Sequence, residues 1–370
     1  MKKTLLVTNF FPPAIGGIEN YYFNLCKLLD TDKLVVLAQE EQNEKDYDLS
    51  QLFPVYRSNF FGGKISPRWW HLKKEINDIC QIQKIENLVF GHFHNLSILG
   101  RYQKLPYFVF AHGTDVLQAQ NNFLQNKAFK EMYKGVNTII ANSNFLAGEI
   151  EKITGDKQKI KVIYPGINFD ELNQSIPDMA KRKEALGIGA NDIVMLSLGR
   201  LVAEKRYEAI INMMPTLLEK LPNLKYLIVG EGPEKEALHN LIGQLDLTDK
   251  IKLIDKVETG SADKAFYFQA AHLFVTVSAK PEGFGISYLE AQATGTPVVA
   301  SKFGGSAEAV PDGHVGKLVD PENISGTVEA IYEILSDTDL WQKYSEAGKA
   351  RAQKEFDWKI QVEKIKNILS

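Results

Sequence analysis

Short apolar runs rich in β-branched and aromatic residues alternate with amphipathic stretches along nearly the whole chain, and that alternation confines it to one class of fold. Strand-like runs occupy residues 3–8, 33–38, 87–90, 107–111, 138–141 and 160–163, with helical periodicity at 69–82, 124–133 and 144–153. The pattern then repeats, with strands at 193–198, 225–229, 251–254, 273–277, 298–300 and 317–319 and helices at 207–220, 234–245, 262–270, 286–294 and 323–335. Strand, helix and strand in succession make a parallel sheet covered on both faces. A chain of 370 residues exceeds what one core ordinarily serves. The expected fold class is therefore α/β, with two doubly wound, Rossmann-like domains facing across a cleft. The polar stretch 168–183, which carries Pro177, is the linker, and the boundaries fall at 1–178 and 179–356.

In such sheets ligands gather beyond the carboxyl ends of the strands. After the run 273–277 comes Pro281-Glu282-Gly283-Phe284-Gly285-Ile286, leading into a helix that Gly295 stops. Two glycines before a helix N-terminus let unpaired amides approach an anion closely. Glu282 and Glu290, eight residues apart, flank that cradle and can accept hydroxyl protons from one ligand that carries phosphates in its middle. Arg200 and Lys205 follow the first strand of the second half, an arginine fork and a lysine point charge suited to a diphosphate. In the first half, His112-Gly113-Thr114-Asp115 directly follows the run 107–111. Gly16-Gly17 lies between the first strand and the first helix, a weak signal by itself.

Taken together these segments resemble glycosyltransferase family 4, retaining enzymes of the GT-B architecture. The likeness rests on the E-x7-E pair with its internal Gly-Phe-Gly, on Arg200 with Lys205, on His112, on the glycine pair, and on the G-G-x-x-E loop at 304–308. It implies a retaining hexosyltransferase in which Glu282 and His112 form the catalytic set around the transferred sugar. It also implies a donor site made of Gly16, Gly17, Arg200, Lys205, Lys256, Val257, Glu282, Gly283, Phe284, Gly285, Ile286 and Glu290, with Glu290 on the ribose. Asp115 orients the loop of His112, Lys256 and Val257 pass the nucleobase, and a C-terminal helix at about 357–370 returns to the first domain. The acceptor attacks on the face the diphosphate leaves, and a donor phosphate oxygen takes the proton. Asn9-Phe-Phe-Pro-Pro-Ala-Ile-Gly-Gly-Ile with Tyr21-Tyr22 is most similar to the bacterial phosphatidylinositol mannosyltransferases, which implies GDP-mannose and a glycan or lipid-linked acceptor. UDP-hexose or UDP-N-acetylhexosamine donors are the alternative, and a catalytically silent sugar-nucleotide-binding subunit is the rival from another class.

Other features narrow the choice. A net charge of −3 argues against a nucleic-acid binder. Met1 to Pro13 lacks the apolar core of a signal peptide and no run reaches the length of a membrane span, so a cytoplasmic protein is expected. Cys26 and Cys80 sit in amphipathic patterns without metal or redox spacing and read as buried free thiols. Gly230-Glu231-Gly232-Pro233 lacks the third glycine of a dinucleotide fingerprint and reads as a helix start with Pro233 in its first position. Asp46-Tyr47-Asp48 and Asp337-Thr338-Asp339 lie in polar connections and read as solvated turns, so no metal and no cofactor are expected. Residues 60–74 interleave two aromatic pairs with Lys64, Arg68, Lys73 and Lys74, which fits peripheral contact with an anionic membrane at its inner face. The same stretch also fits a helix that turns Trp69, Leu72 and Ile76 to the core.

Overall fold

The apolar runs become parallel strands in two separate sheets. In this computed structural model the chain divides into Met1–Gly166 with Trp358–Ser370, and Ile167–Asp357. The structure describes all residues except 15, 43, 62–66, 94 and 256–261, and describes no side chain at 67–69, 95, 96 or 262. The first sheet contains β1 (Thr4–Thr8), β2 (Leu34–Gln39), β3 (Val55–Ser58), β4 (Asn87–Phe90), β5 (Tyr107–Ala111), β6 (Thr138–Ala141) and β7 (Ile160–Val162), in the order 3-2-1-4-5-6-7. The second contains β8 (Ile193–Leu198), β9 (Leu224–Val229), β10 (Ile251–Ile254), β11 (Leu273–Thr276), β12 (Val298–Ser301) and β13 (Gly316–Val319), in the order 10-9-8-11-12-13. Strand order reverses between β1 and β4 in one unit and between β8 and β11 in the other. Crevices open at such reversals, beyond the carboxyl ends of the strands.

The boundary at 178 needs correction, because residues 167–178 belong with the second unit. The Ile167 amide donates to Phe356 O at 2.8 Å, the Asn173 side chain to Ala293 O at 3.0 Å, and Ile176 packs with Phe266 and Ala270. The polar composition of the segment hides a single helical turn, Phe169–Leu172, whose two apolar ends are buried.

The helical tail is interrupted at Asp357, which is extended (φ −59°, ψ 136°) between the helices Thr338–Phe356 and Trp358–Ile368. The second of these packs on the first unit, where Trp358, Val362, Ile365 and Leu369 join Tyr21, Tyr22 and Phe110 in one core. Leu369 O accepts from the Lys2 amide at 2.9 Å and from the Asn87 side chain at 2.8 Å. Strand β3 was not legible in the sequence, since an edge strand reading Val-Tyr-Arg-Ser, with three of its four residues half buried, has no alternation to show.

Cys26 is buried, whereas Cys80 is only half buried, with its thiol pushed up to about 11 by burial. Among the described residues no helix is long and apolar enough to cross a membrane.

Candidate active site

In the second unit the reversal of strand order sets the loop after β8 beside the loop after β11, and the Ala279 amide closes the gap by donating to Glu204 O at 2.8 Å. Lys205 ends a 3₁₀ turn and reaches across, its Nζ 2.7 Å from Glu282 Oε1. Ser278 Oγ donates to the same oxygen at 2.7 Å and Tyr288 Oη at 3.3 Å. Burial pushes the Glu282 carboxyl up, but the charge and hydrogen bonds of Lys205, Ser278 and Tyr288 outweigh it and hold the group below its ordinary range. The residues assigned separately to sugar and diphosphate are thus one ion pair.

The loop shape is set by backbone contacts. Gly285 caps the helix Ile286–Ala293 at φ 94°, a left-handed conformation that favours glycine, and a Cβ there would meet the Tyr288 ring. The cap residue Gly285 supplies no side-chain hydrogen bond to that helix, so no cap side chain competes with an anion for its first amides. Gly305 donates to Glu282 O at 2.9 Å, and a Cβ on Gly305 would strike the Gly283 carbonyl, which is why the loop at 304–308 needs its glycines. Phe284 is placed differently from its glycine neighbours. It is buried, with its ring 5.9 Å from that of Phe356, so only its backbone can serve a ligand.

Arg200 is exposed beyond β8, and Glu290 pairs with Lys264 of the helix Ala262–Ala270. Lys256 and Val257 lie outside the described residues; the neighbouring Asp255 pairs with Lys235. Ser278, Tyr288 and Lys264 escaped sequence reading because a hydroxyl or a lysine carries no signal until the fold aims it. The Tyr207 hydroxyl is also buried, and it has no partner among the described residues.

In the first unit His112 follows β5, its imidazole stacked on Phe110 and met edge-on by Tyr21 and Tyr22. Its Nε2 lies 3.0 Å from Gly91 O and 2.8 Å from Tyr22 Oη. Burial lowers its pKa against the opposing pull of the Asp115 charge and the Gly91 carbonyl. Asp115 accepts from the Gly113 amide at 2.8 Å, from His112 at 3.2 Å and from Phe93 at 3.1 Å, so it ties the loops after β4 and β5 together. Beside them is a recess of about 250 Å³ lined in part by Asn9, His92, His112, Thr114, Gln118 and Gln125. Gly16 is the extended N-cap of the helix Gly17–Leu28, and the space around Gly17 Cα is open.

The remaining acidic and glycine motifs have structural uses. Asp48 is no solvated turn, for both its oxygens take the Arg57 guanidinium, at 3.0 and 2.6 Å, while Arg57 also donates to Pro12 O at 2.5 Å and braces the loop after β1. Asp337 caps the helix Thr338–Phe356 by accepting from the Leu340 amide at 3.0 Å. Gly230 and Gly232 let their turn press on the backbone of Gly199 and Leu201, and the helix starts at Lys235, two residues later than Pro233 suggested.

Residues 178–351 match the family described as Glycosyl transferases group 1, and residues 15–171 match Glycosyltransferase Family 4. The chain belongs to glycosyltransferase family 4. Among its relatives, the GDP-mannose-dependent monoacylated alpha-(1-6)-phosphatidylinositol monomannoside mannosyltransferase of Corynebacterium glutamicum is 26% identical over 100% of this chain and 98% of its own length. The GDP-mannose-dependent alpha-(1-6)-phosphatidylinositol monomannoside mannosyltransferase of Mycolicibacterium smegmatis is also 26% identical, over 99% and 98%. Anabaena HepE, solved in complex with UDP, superposes with a TM-score of 0.84 at 22% identity, covering 100% of this chain and 99% of that one. This glycosyltransferase thus has the GT-B fold.

Proposed function

We propose that this glycosyltransferase is a retaining enzyme that moves mannose from GDP-mannose to a glycan or lipid-linked acceptor at the cytoplasmic face of the membrane. The observation that carries the reading is the single cluster of Lys205, Glu282, Ser278 and Tyr288 beside an uncapped helix N-terminus at the reversal of strand order. Departure of a nucleoside diphosphate develops negative charge, and fixed cations and amides aimed at it lower the barrier most. Arg200, Lys205 and the helix at Ile286 take that role. Glu282 takes sugar hydroxyls and Glu290 the ribose. His112 and the pair Gly16-Gly17 belong to the other unit and are assigned to the sugar and the diphosphate by family resemblance. No residue is assigned as a covalent nucleophile; the acceptor attacks on the face the diphosphate leaves.

GDP-mannose is supported by the two mannosyltransferases that match the chain end to end. UDP sugars are the second reading, favoured by the HepE complex with UDP. A thermal-shift panel of GDP, UDP and ADP sugars separates them, since a ligand at a hundred times its Kd adds about 2.7 kcal/mol. We expect the largest shift with GDP-mannose and turnover that persists in excess EDTA. A larger UDP shift reassigns the donor, an EDTA-abolished reaction shows a metal requirement, and binding without transfer to any acceptor makes the chain a silent subunit.

Attachment to an anionic bilayer is proposed through the helix Pro67–Ile82. Leu72 and Ile76 of that helix lie in the core, as one of the two readings of the stretch expects of them, and Ile79 joins them, yet Trp70 is 64% exposed and Lys73 Nζ lies 5.8 Å from its ring. Lys64 lies outside the described residues, and the side chains of Arg68 and Trp69 are likewise not described. Each lysine near a charged surface contributes about 1 kcal/mol. The protein should therefore co-sediment with vesicles containing phosphatidylserine and not with pure phosphatidylcholine, and Trp70→Ala with Lys73→Ser and Lys74→Ser should weaken that binding at least tenfold. Equal partitioning to both vesicles overturns the attachment.

A further inference from the structure

We propose that Lys264 is a positioning residue for the donor nucleotide, holding Glu290 aimed so that the carboxylate takes the ribose hydroxyls. The inference rests on the assignment of Glu290 to the ribose and goes beyond it, because nothing in the sequence pattern marks Lys264. Its Nζ pairs with Glu290 Oε1, and the two side chains are only 18% and 13% exposed. The partners come from different elements, the helices Ala262–Ala270 and Ile286–Ala293. With Oε1 taken by the lysine, Oε2 is the oxygen assigned to a ribose hydroxyl.

Two physical needs meet in this pair. A glutamate side chain must surrender its rotamer freedom to recognise a hydroxyl, and one already held by an ion pair has done so before the ligand arrives. A bare carboxylate would also repel the diphosphate that binds in the same cradle, and the partly buried setting would screen that repulsion less than water does. Lys264 cancels this charge. Lys205 cannot serve both glutamates, since it is committed to Glu282 in the ligand-free protein and assigned to the diphosphate in the complex. Lys264 lies on a different helix and stays with Glu290 throughout.

The test measures dissociation constants by calorimetry for GDP, UDP and their 2′-deoxy and 3′-deoxy forms with wild type, Lys264→Met and Lys264→Arg. A hydrogen bond to a charged group predicts that wild type loses about tenfold or more on removal of at least one ribose hydroxyl. In Lys264→Met that penalty should shrink to about threefold or less, while Lys264→Arg, which keeps the charge, should retain most of it. Melting temperatures confirm that the variants are folded; should Lys264→Met not fold, Lys264→Gln is read by the same criterion. An undiminished deoxy penalty in Lys264→Met, even with weaker overall binding, overturns the role of Lys264 and leaves the ribose assignment standing. Absence of any deoxy penalty in wild type removes the ribose assignment of Glu290 and this inference with it.

Discussion

Glu282→Gln should lower transfer by about a hundredfold or more while nucleoside diphosphate binds more tightly than to the wild type. The amide keeps the shape of the carboxylate but loses its charge-assisted acceptance of sugar hydroxyls, and each such bond is worth about 1.5 to 3 kcal/mol. It also releases Lys205, whose Nζ is held 2.7 Å from Glu282 Oε1 in the ligand-free protein. A lysine freed from a carboxylate has more to offer a phosphate. Lys205→Met should do the reverse, weakening diphosphate affinity by about 1.5 to 3 kcal/mol and leaving the 16% exposed Glu282 without its cation.

That second variant also predicts a change in the pH dependence of stability. In the wild type the folded Glu282 carboxyl lies below its ordinary range, so it adds stability above the unfolded value that is lost as pH falls through the folded one. Without Lys205 burial dominates and the folded value rises, so stability is greatest below the unfolded value and declines as pH rises through the folded one. Calorimetric melting between pH 3 and 8 together with nucleotide titration reads both effects. Near-full turnover in Glu282→Gln, or unchanged diphosphate binding in Lys205→Met, would sink this account of the site.

His112→Phe should also cost about a hundredfold or more in transfer, yet leave nucleotide affinity near the wild-type level, because the imidazole is assigned to the sugar and not to the diphosphate. Phenylalanine suits the aromatic surroundings formed by Phe110, Tyr21 and Tyr22 and so separates chemistry from packing. Both Gly91 O and Tyr22 Oη meet Nε2, so Nδ1 is the ring nitrogen left for a substrate hydroxyl. Since burial lowers the pKa of His112 below its ordinary 6.5, the ring is neutral at pH 7. The His112 contribution to the pH–rate profile should be flat above about pH 7 and fall only below the ordinary imidazole range. Wild-type turnover in His112→Phe would remove the residue from the reaction.

Much of this glycosyltransferase is determined by local sequence. Two rounds of strand and helix alternation dictate two parallel sheets, because runs such as Leu273–Thr276 are apolar on both faces and can be buried only between helix layers. Gly285 before Ile286 and Arg200 after β8 mark the proposed anion cradle by residue type and position alone. What a linear pattern cannot carry is contact between side chains far apart in the chain. In the second unit Lys205 meets Glu282 and Lys264 meets Glu290 only after strand order 10-9-8-11 sets distant segments side by side, and in the first unit Tyr22 meets His112 only after the order 2-1-4-5 does the same. The same limit explains the misplaced boundary, since residues 167–178 look like a linker until Asn173 and Ile176 find partners around Ala293 and Phe266. Periodicity is a local property that each segment carries on its own, whereas an ion pair depends on which strands are neighbours, and only the assembled sheet decides that.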